Sequence, residues 1–510
     1  MRLKWVALCT AAMIALPMAA AEAAELRIGF TADALTLDPA NHRNRETQTI
    51  IRNMHDGLLT RDSQMNVVPE LAESWTALDP TTYEFKLRRG VAFHDGSPMT
   101  AADVKFTFDR LTGEGAMDGQ TSPRKSLLGP LKEVKVIDDR TFHMILEEPW
   151  PILPAMLPFQ EVVSKAHVEK VGTAGMAGSV SGTGPFKLVE WRRGDSVIME
   201  RYDGYYGGAA DIPPMGKACV DRVIFKVIPE NASRVAALLA GDVHIINGLP
   251  THNVKQVESN PNTRVMAVNG TRSTFIALNN QTAPFDDLRV RRAVAYALDR
   301  KLIVDKILDG NATLIDGILS PDAFGKNEAL PTYGYDLAKA KALLAEAGHA
   351  DGIDVTLDVD GANKETAEAI ASLLTKAGIR TKVAVNEASQ LKARYRTKGK
   401  PIDGQMWLTS WGNGSLDPVG IFVPTHRTAG RGNSSGYSNT EVDALLDAAN
   451  TETDRAKRAS LYARAEAIVN KDLPKVYLWV AKDLYGVSNQ VAGWQPSADS
   501  RINLHDACLK

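Results

Sequence analysis

Hydrophobic and polar positions along the chain follow two periods. Alternation over residues 26–30, 82–87 and 223–228 predicts strands, because successive side chains of an extended chain face opposite ways. Two more strands fall within 131–146 around Asp138-Asp139. Residues 186–191 and 196–200 predict an antiparallel pair turning at Arg193-Gly194-Asp195, and 353–359, 381–385 and 476–480 are further strands. Apolar residues three and four apart predict helices over 46–59 (Ile50, Ile51, Met54, Leu58), 231–240, 441–449 and 454–470. A long helix is predicted over 287–309 (Val290, Val294, Leu298, Leu302, Ile307), ending at Gly310. Thr100 reads as the N-cap of a helix over 101–110, with Asp103 at the capping-box position. Helices over 336–347 and 365–376 stop at Gly348 and Gly378. Strand–helix–strand over 353–385 predicts a parallel crossover. The fold class expected is α/β, with the mixture of elements divided between two lobes.

The chain has 510 residues, which implies several subdomains rather than one core. Lys plus Arg number 59 and Asp plus Glu 61, so no basic field exists to hold nucleic acid, and none is expected as a partner. At the N-terminus, Arg2 and Lys4 precede an apolar stretch from Val6 to Ala21, followed by Ala21-Glu22-Ala23. This predicts a signal peptide over 1–23, with Ala21 and Ala24 as rival cleavage positions, and a soluble periplasmic product. A membrane anchor is disfavoured, since the apolar run is shorter than the roughly 20 residues a spanning helix needs. Cys9 stands too early for a lipoprotein site. The remaining cysteines, Cys219 and Cys508, allow one disulfide in an oxidising compartment or two separate thiols.

Four segments together resemble the family 5 solute-binding proteins of ABC importers, the group of oligopeptide, dipeptide and nickel binders. One is Phe85-Lys86-Leu87-Arg88-Arg89-Gly90-Val91-Ala92-Phe93-His94-Asp95-Gly96, running into Thr100-Ala101-Ala102-Asp103-Val104-Lys105-Phe106 and preceded by Val68-Pro69-Glu70-Leu71-Ala72-Glu73-Ser74-Trp75. The others are Gly182-Thr183-Gly184-Pro185-Phe186, Val290-Arg291-Arg292-Ala293-Val294-Ala295-Tyr296-Ala297-Leu298-Asp299-Arg300, and the stretch from Tyr335-Asp336 to Ala347-Gly348. The resemblance implies a type II periplasmic binding protein fold of the cluster C type, two hinged lobes with an extra subdomain in the first. Lobe 1 would hold 24–270 plus a returning segment 490–510, with the extra subdomain at 61–181, and lobe 2 would hold 271–489. It also implies a monomer that closes on a small-molecule ligand and delivers it to an inner-membrane ABC permease with separate ATPase subunits. No cofactor and no bond chemistry are expected.

The Phe85–Phe106 signature reads as structural, with core-like aromatics and a turn at Asp95-Gly96; His94 has no metal-type residue at suitable spacing. The ligand site is expected at Trp411, Asn413, Gly414 and Ser415, in a loop that opens into the cleft of the resembling proteins. Trp411 would give a flat apolar face and the glycines backbone N–H groups. Peptide binders of the family commonly carry an aspartate where this chain has Gly414, which leaves room for sugar, sugar-phosphate or opine-type ligands beside peptides. Arg431, Gly432 and Asn433 suit an anionic group. Thr31, Asp33 and Thr183 are the candidates in lobe 1. Two rival functions remain: a signalling co-receptor or peptide chaperone of the same fold, and a serine hydrolase with Ser434 in Gly432-Asn433-Ser434-Ser435-Gly436 as nucleophile, which would require a strand–turn–helix.

Overall fold

The structure, a computed structural model, describes residues 24–207, 216–397 and 399–510. The expected signal peptide, its cleavage position and Cys9 lie outside them. Among the described residues no helix is long and apolar enough to cross a membrane.

One eleven-stranded sheet runs through the molecule. From one edge, the strands are Ile379–Val385, Ile353–Val359, Met406–Gly412, Thr263–Leu278, Lys475–Ser488, Ile245–Asn247, Glu25–Phe30, Arg222–Val227, Ser196–Arg201 and Phe186–Arg192; Ala312–Leu314 also pairs with Lys475–Ser488. The two longest strands belong to both halves. Their Thr263–Asn269 and Lys482–Ser488 ends reach the core built on Ile28, Phe186, Phe225, Tyr485 and Trp494. Their other ends, from Ser273 and before Val480, enter cores around Ile276, Val290, Leu357 and Leu478 on one face and Phe275, Tyr462 and Tyr477 on the other. A four-stranded antiparallel sheet, Ala72–Asp79, Thr82–Leu87, Thr141–Leu146 and Leu131–Val136, stands apart with its own core of Phe85, Phe93, Phe108 and Phe142.

Where the long strands pass between halves, their register breaks. Asn269 pairs with Lys482 but Ser273 pairs with Val480, so Gly270-Thr271-Arg272 faces the single residue Ala481. Such a bulge bends the strand and re-aims its side chains. A Cβ at Gly270 would sit 2.7 Å from the Ala481 carbonyl oxygen, so this crossing requires glycine.

Most predicted elements are present, including the capping box of Thr100 and Asp103 and the parallel pairing of Ile353–Val359 with Ile379–Val385. Two helices differ. The first covers only Arg45–Ile51, because the Met54 and His55 backbone turns away to pack against Gly182 and Gly184, where any side chain would collide with it. The long helix predicted over 287–309 is two, Leu288–Tyr296 and Arg300–Ile307, since Asp299 caps the second by accepting from the Leu302 amide. Arg300 pairs with Asp316. The strand Thr263–Leu278 and the helix Ala388–Arg396 had no predicted counterpart. Cys219 and Cys508 form a disulfide that ties the C-terminus back to the first half.

Candidate functional site

Trp411 ends the strand Met406–Gly412 and sits half-buried at the boundary between halves. Its indole Nε1 donates to the Gly420 carbonyl at 2.9 Å, which fixes the ring plane. Gly432 lies against the ring so closely that a Cβ there would overlap it. Two guanidiniums stack on the indole, Arg431 at 4.7 Å and Arg396 at 5.1 Å from the ring centre. Arg396, the last residue of Ala388–Arg396, also lies 4.3 Å from the centre of Trp407.

These are two of five arginines gathered here. Arg272 comes from the bulge, pairing with Gly412 in register and reaching Ser410. From the other half come Arg43 and Arg45, at the start of the helix capped by Asn44. Arg45 bonds the Ser500 hydroxyl at 2.7 Å, and Arg43 the Ser126 hydroxyl at 3.1 Å. Among the described residues none of the five has a carboxylate within ion-pair distance. By contrast, Arg501 beside them is paired with Asp499 and Arg124 with Glu161. The fields are mutually unfavourable. Burial, then Arg431 and Arg272, pulls the Arg396 guanidinium down to about 10; burial and Arg431 lower Arg43; burial and Arg45 lower Arg272, opposed in part by Asp483 and Glu46.

A cavity of about 300 Å³ lies among Arg43, Arg45, Arg272, Phe159, Gly412 and Gly414. A Cβ on Gly414 would meet the Phe159 ring at 3.6 Å and the Arg45 guanidinium at 3.9 Å, so this glycine faces the opposite half directly. A second cavity of about 450 Å³ continues past Arg45 to Thr31, Glu46, Asn247, Asp483 and Tyr485. The halves also touch beside the Trp411 loop. Arg61 donates to the Ser415 carbonyl at 2.8 Å, and Met65 packs on Leu416 and Ala498.

Several residues expected to meet ligand are instead occupied with the fold. The Asn413 side chain spans its own loop, donating to the Asp417 carbonyl and accepting from the Ser415 hydroxyl, so both brace the turn; Ser415 also lines a cavity of about 700 Å³ shared with Arg61, Tyr83, Phe324 and Arg458. Asp417 is held by a two-pronged buried ion pair with Arg458 at 2.6 and 2.7 Å. Asn433 is consumed by the Tyr437 backbone. In the first half, Asp33 accepts from the Trp191 indole and the Gly194 amide, and Thr183 is fully buried on Asp56. Gly182-Thr183-Gly184 is thus a packing motif. Thr31 alone of the three lines a cavity, though its hydroxyl accepts from Asn247. Ser434 is fully buried, in a loop between the helices Phe422–His426 and Thr440–Thr451 with no strand before it, so the nucleophile geometry is absent. His94 bonds Gly182 and Gly184. Sequence reasoning missed Arg43, Arg45, Arg272 and Arg396. Their only common signal is an arginine beside a turn or element end, which many solvated arginines share.

The model for bacterial extracellular solute-binding proteins, family 5, matches residues 66–433. The chain belongs to this family. It is 29% identical over 512 residues to the glutathione-binding protein GsiB of Pectobacterium atrosepticum, covering 98% of this chain and 96% of that one. Among solved structures, HbpA2 of Haemophilus parasuis matches 95% of the chain and 100% of its own at a TM-score of 0.87 and 24% identity. The periplasmic binding protein DppA of Helicobacter pylori, in complex with the peptide STSA, matches 95% and 98% at 0.74 and 26%. The fold is that of the two-lobed type II periplasmic binding proteins, and the chain is a solute-binding component of an ABC importer. The arginine-lined cavity lies where its two halves meet.

Proposed function

We propose that the chain is exported to the periplasm and captures a small acidic, peptide-like solute at the Trp411 cleft, as a monomer and without bond chemistry. It then delivers the solute to a membrane permease driven by separate ATPase subunits. The observation that carries this reading is the set of five guanidiniums, from both halves, none of which forms an ion pair with a carboxylate among the described residues. Arg43, Arg272 and Arg431 are exposed and Arg45 and Arg396 half-buried; like charges gathered around one gap attract an anion, and on this reading that anion is the ligand. Carboxylates would take two-pronged contacts from Arg396, Arg431 and Arg272 on lobe 2 and from Arg43 and Arg45 on lobe 1, so closure creates contacts that neither lobe offers alone.

The similarity to glutathione-binding and peptide-binding proteins supports a peptide-like ligand. Glutathione carries two carboxylates and one ammonium, a net negative charge that suits a cationic cleft. Gly414 offers no carboxylate for the ammonium. Asp483 and Glu46 line the cavity next to Arg45 and are the acidic groups placed to receive it. The hinge on this reading is the bulged crossing at Gly270-Thr271-Arg272 and Ala481, with lobe 2 beginning near 271. The sheet centred on Phe85 forms the extra subdomain of lobe 1.

Titration calorimetry with glutathione, its diamide and a neutral free-amine tripeptide tests the reading. Acidic ligands should bind and the diamide should lose at least tenfold. Arg431→Ala should weaken the acidic ligands and leave the neutral ones unchanged. Equal affinity across the series would refute the anionic assignment. A ligand at 100 times its Kd should also stabilise the protein by about 2.7 kcal/mol.

A further inference from the structure

Away from the cleft, inside lobe 1, a second group of polar side chains has no partners among the described residues. Asp56 follows the first helix, Glu70 precedes the four-stranded sheet, and His505 arrives from the C-terminal segment three residues before the disulfide at Cys508. All three are buried, and one donor atom from each lies within 4.8 Å of the others. Glu70 is accounted for: it accepts from Arg52 at 3.2 Å and from the Gly57 amide at 2.8 Å. Asp56 accepts only the Thr183 hydroxyl on one oxygen; its Oδ1 has no hydrogen-bond partner. Neither ring nitrogen of His505 has one, although the residue is only 4% exposed and its Nε2 points at Asp56 Oδ1 from 3.6 Å. The Tyr205 and Tyr206 hydroxyls are also buried without partners, and the Tyr205 ring lies 5.9 Å from that of His505. Burial raises both phenols well above their usual range, with Asp56 the next cause, which puts them beside the same carboxylate.

Unpartnered polar atoms converging in one buried place are costly unless something fills the space between them. Arg52 is already committed to Glu70, so the Asp56 carboxylate has no cation of its own. We propose that Asp56, Glu70 and His505 bind a divalent transition-metal ion that clamps the C-terminal segment to the entrance of the extra subdomain, with Tyr205 or Tyr206 next to the open coordination position. One imidazole with two carboxylates is a borderline donor set. It suits Zn²⁺ or its first-row neighbours better than Ca²⁺ or Mg²⁺, which prefer oxygen alone, or Cu(I), which prefers sulfur. With the nearby disulfide, the ion would give the returning segment two fixed points. The site is independent of ligand capture.

The test uses the full mature protein, stripped with chelator, dialysed against Zn²⁺ and analysed for metal by mass spectrometry, with thermal unfolding in parallel. The expected result is about one ion per chain, a raised unfolding midpoint, and a loss of at least about tenfold in Zn²⁺ affinity for His505→Gln and Asp56→Asn. Trp411→Ala should retain the ion, which separates this site from anything held in the cleft. Wild-type protein that takes up no Zn²⁺ and shows no shift in midpoint overturns the proposal, leaving the pocket to water. Undiminished Zn²⁺ binding in both variants overturns it as well. If a variant fails to fold, the wild-type stoichiometry and an anomalous-scattering peak at His505 Nε2 decide the question; no peak there refutes the site.

Discussion

Replacing Arg396 by methionine should make the empty protein slightly more stable and the loaded protein markedly weaker. Burial, with help from Arg431 and Arg272, brings the guanidinium down to about 10. Taken at face value, keeping that cation inside the fold costs on the order of 3 kcal/mol, and water entering an open cleft reduces this to roughly 1–2 kcal/mol. Against it stand the contacts with Trp407 and Trp411 at 4.3 and 5.1 Å. Each is worth about 0.5–1 kcal/mol as a cation–π pair, and methionine keeps part of that through its polarizable chain. The net is a gain of a few tenths to about 1 kcal/mol for the empty form, near 1 °C in a chain of this size. Binding moves the other way. Losing a charge-assisted contact to a ligand carboxylate costs about 1.5–3 kcal/mol, or roughly 10–150-fold in Kd. Calorimetric unfolding of the ligand-free protein and titration with an acidic ligand read the two effects separately. If Arg396→Met lowers stability and leaves acidic-ligand affinity intact, Arg396 is an ordinary structural cation and the electrostatic reasoning about this cleft fails.

The remaining predictions concern the frame around that cleft. Trp411→Ala should weaken ligand binding by about 1–2 kcal/mol, several-fold to 30-fold by calorimetry, since it removes the surface on which two guanidiniums are stacked. Arg458→Ala should cost about 3–5 kcal/mol of stability, because it leaves Asp417 charged and unpaired beneath the Trp411 loop; denaturant unfolding will show it as a lowered midpoint. Acidification should destabilise the protein through histidines that are buried neutral. Burial depresses His42 and His94 to about 4. Between there and the usual 6.5 the unfolded chain takes up protons that the native one refuses. Stability is therefore intact above about pH 6.5 and is lost as the pH falls toward 4, by up to about 3 kcal/mol per group. His94→Gln should flatten that slope; an unchanged pH profile would show that His94 does not contribute.

Much of the fold is written in local patterns that a reader of the sequence can use. The helix after Thr100 carries its own cap, and the strands at 353–359 and 379–385 flank a helix whose end is marked by Gly378, so neighbouring residues decide these elements. The longest strand, Thr263–Leu278, was illegible for a physical reason. It crosses from one core to another, so its burial changes halfway along, and the Gly270-Thr271-Arg272 bulge interrupts the alternation that would have revealed it. The break at Asp299 was hidden in a similar way, because apolar spacing continued across a cap and made two helices read as one.

Only part of the proposed site could be read from the sequence, and only where a family pattern pointed to it. Trp411 and Gly414 stand at the cleft, while the polar residues beside them, Asn413 and Ser415, are used up in holding the loop. A sequence lists which side chains can donate and accept, but not which of them the fold has already satisfied. That difference decides the site here. Arg501 and Arg124 look no different in sequence from Arg272 and Arg396, yet the first two have been given carboxylates and the last two have not. On the proposed reading, ligand capture in this protein rests on what the fold leaves unpaired. The five arginines come from 43, 45, 272, 396 and 431, four separate places in the chain. On the proposed reading, only the bringing together of two lobes turns their unpaired charge into a site.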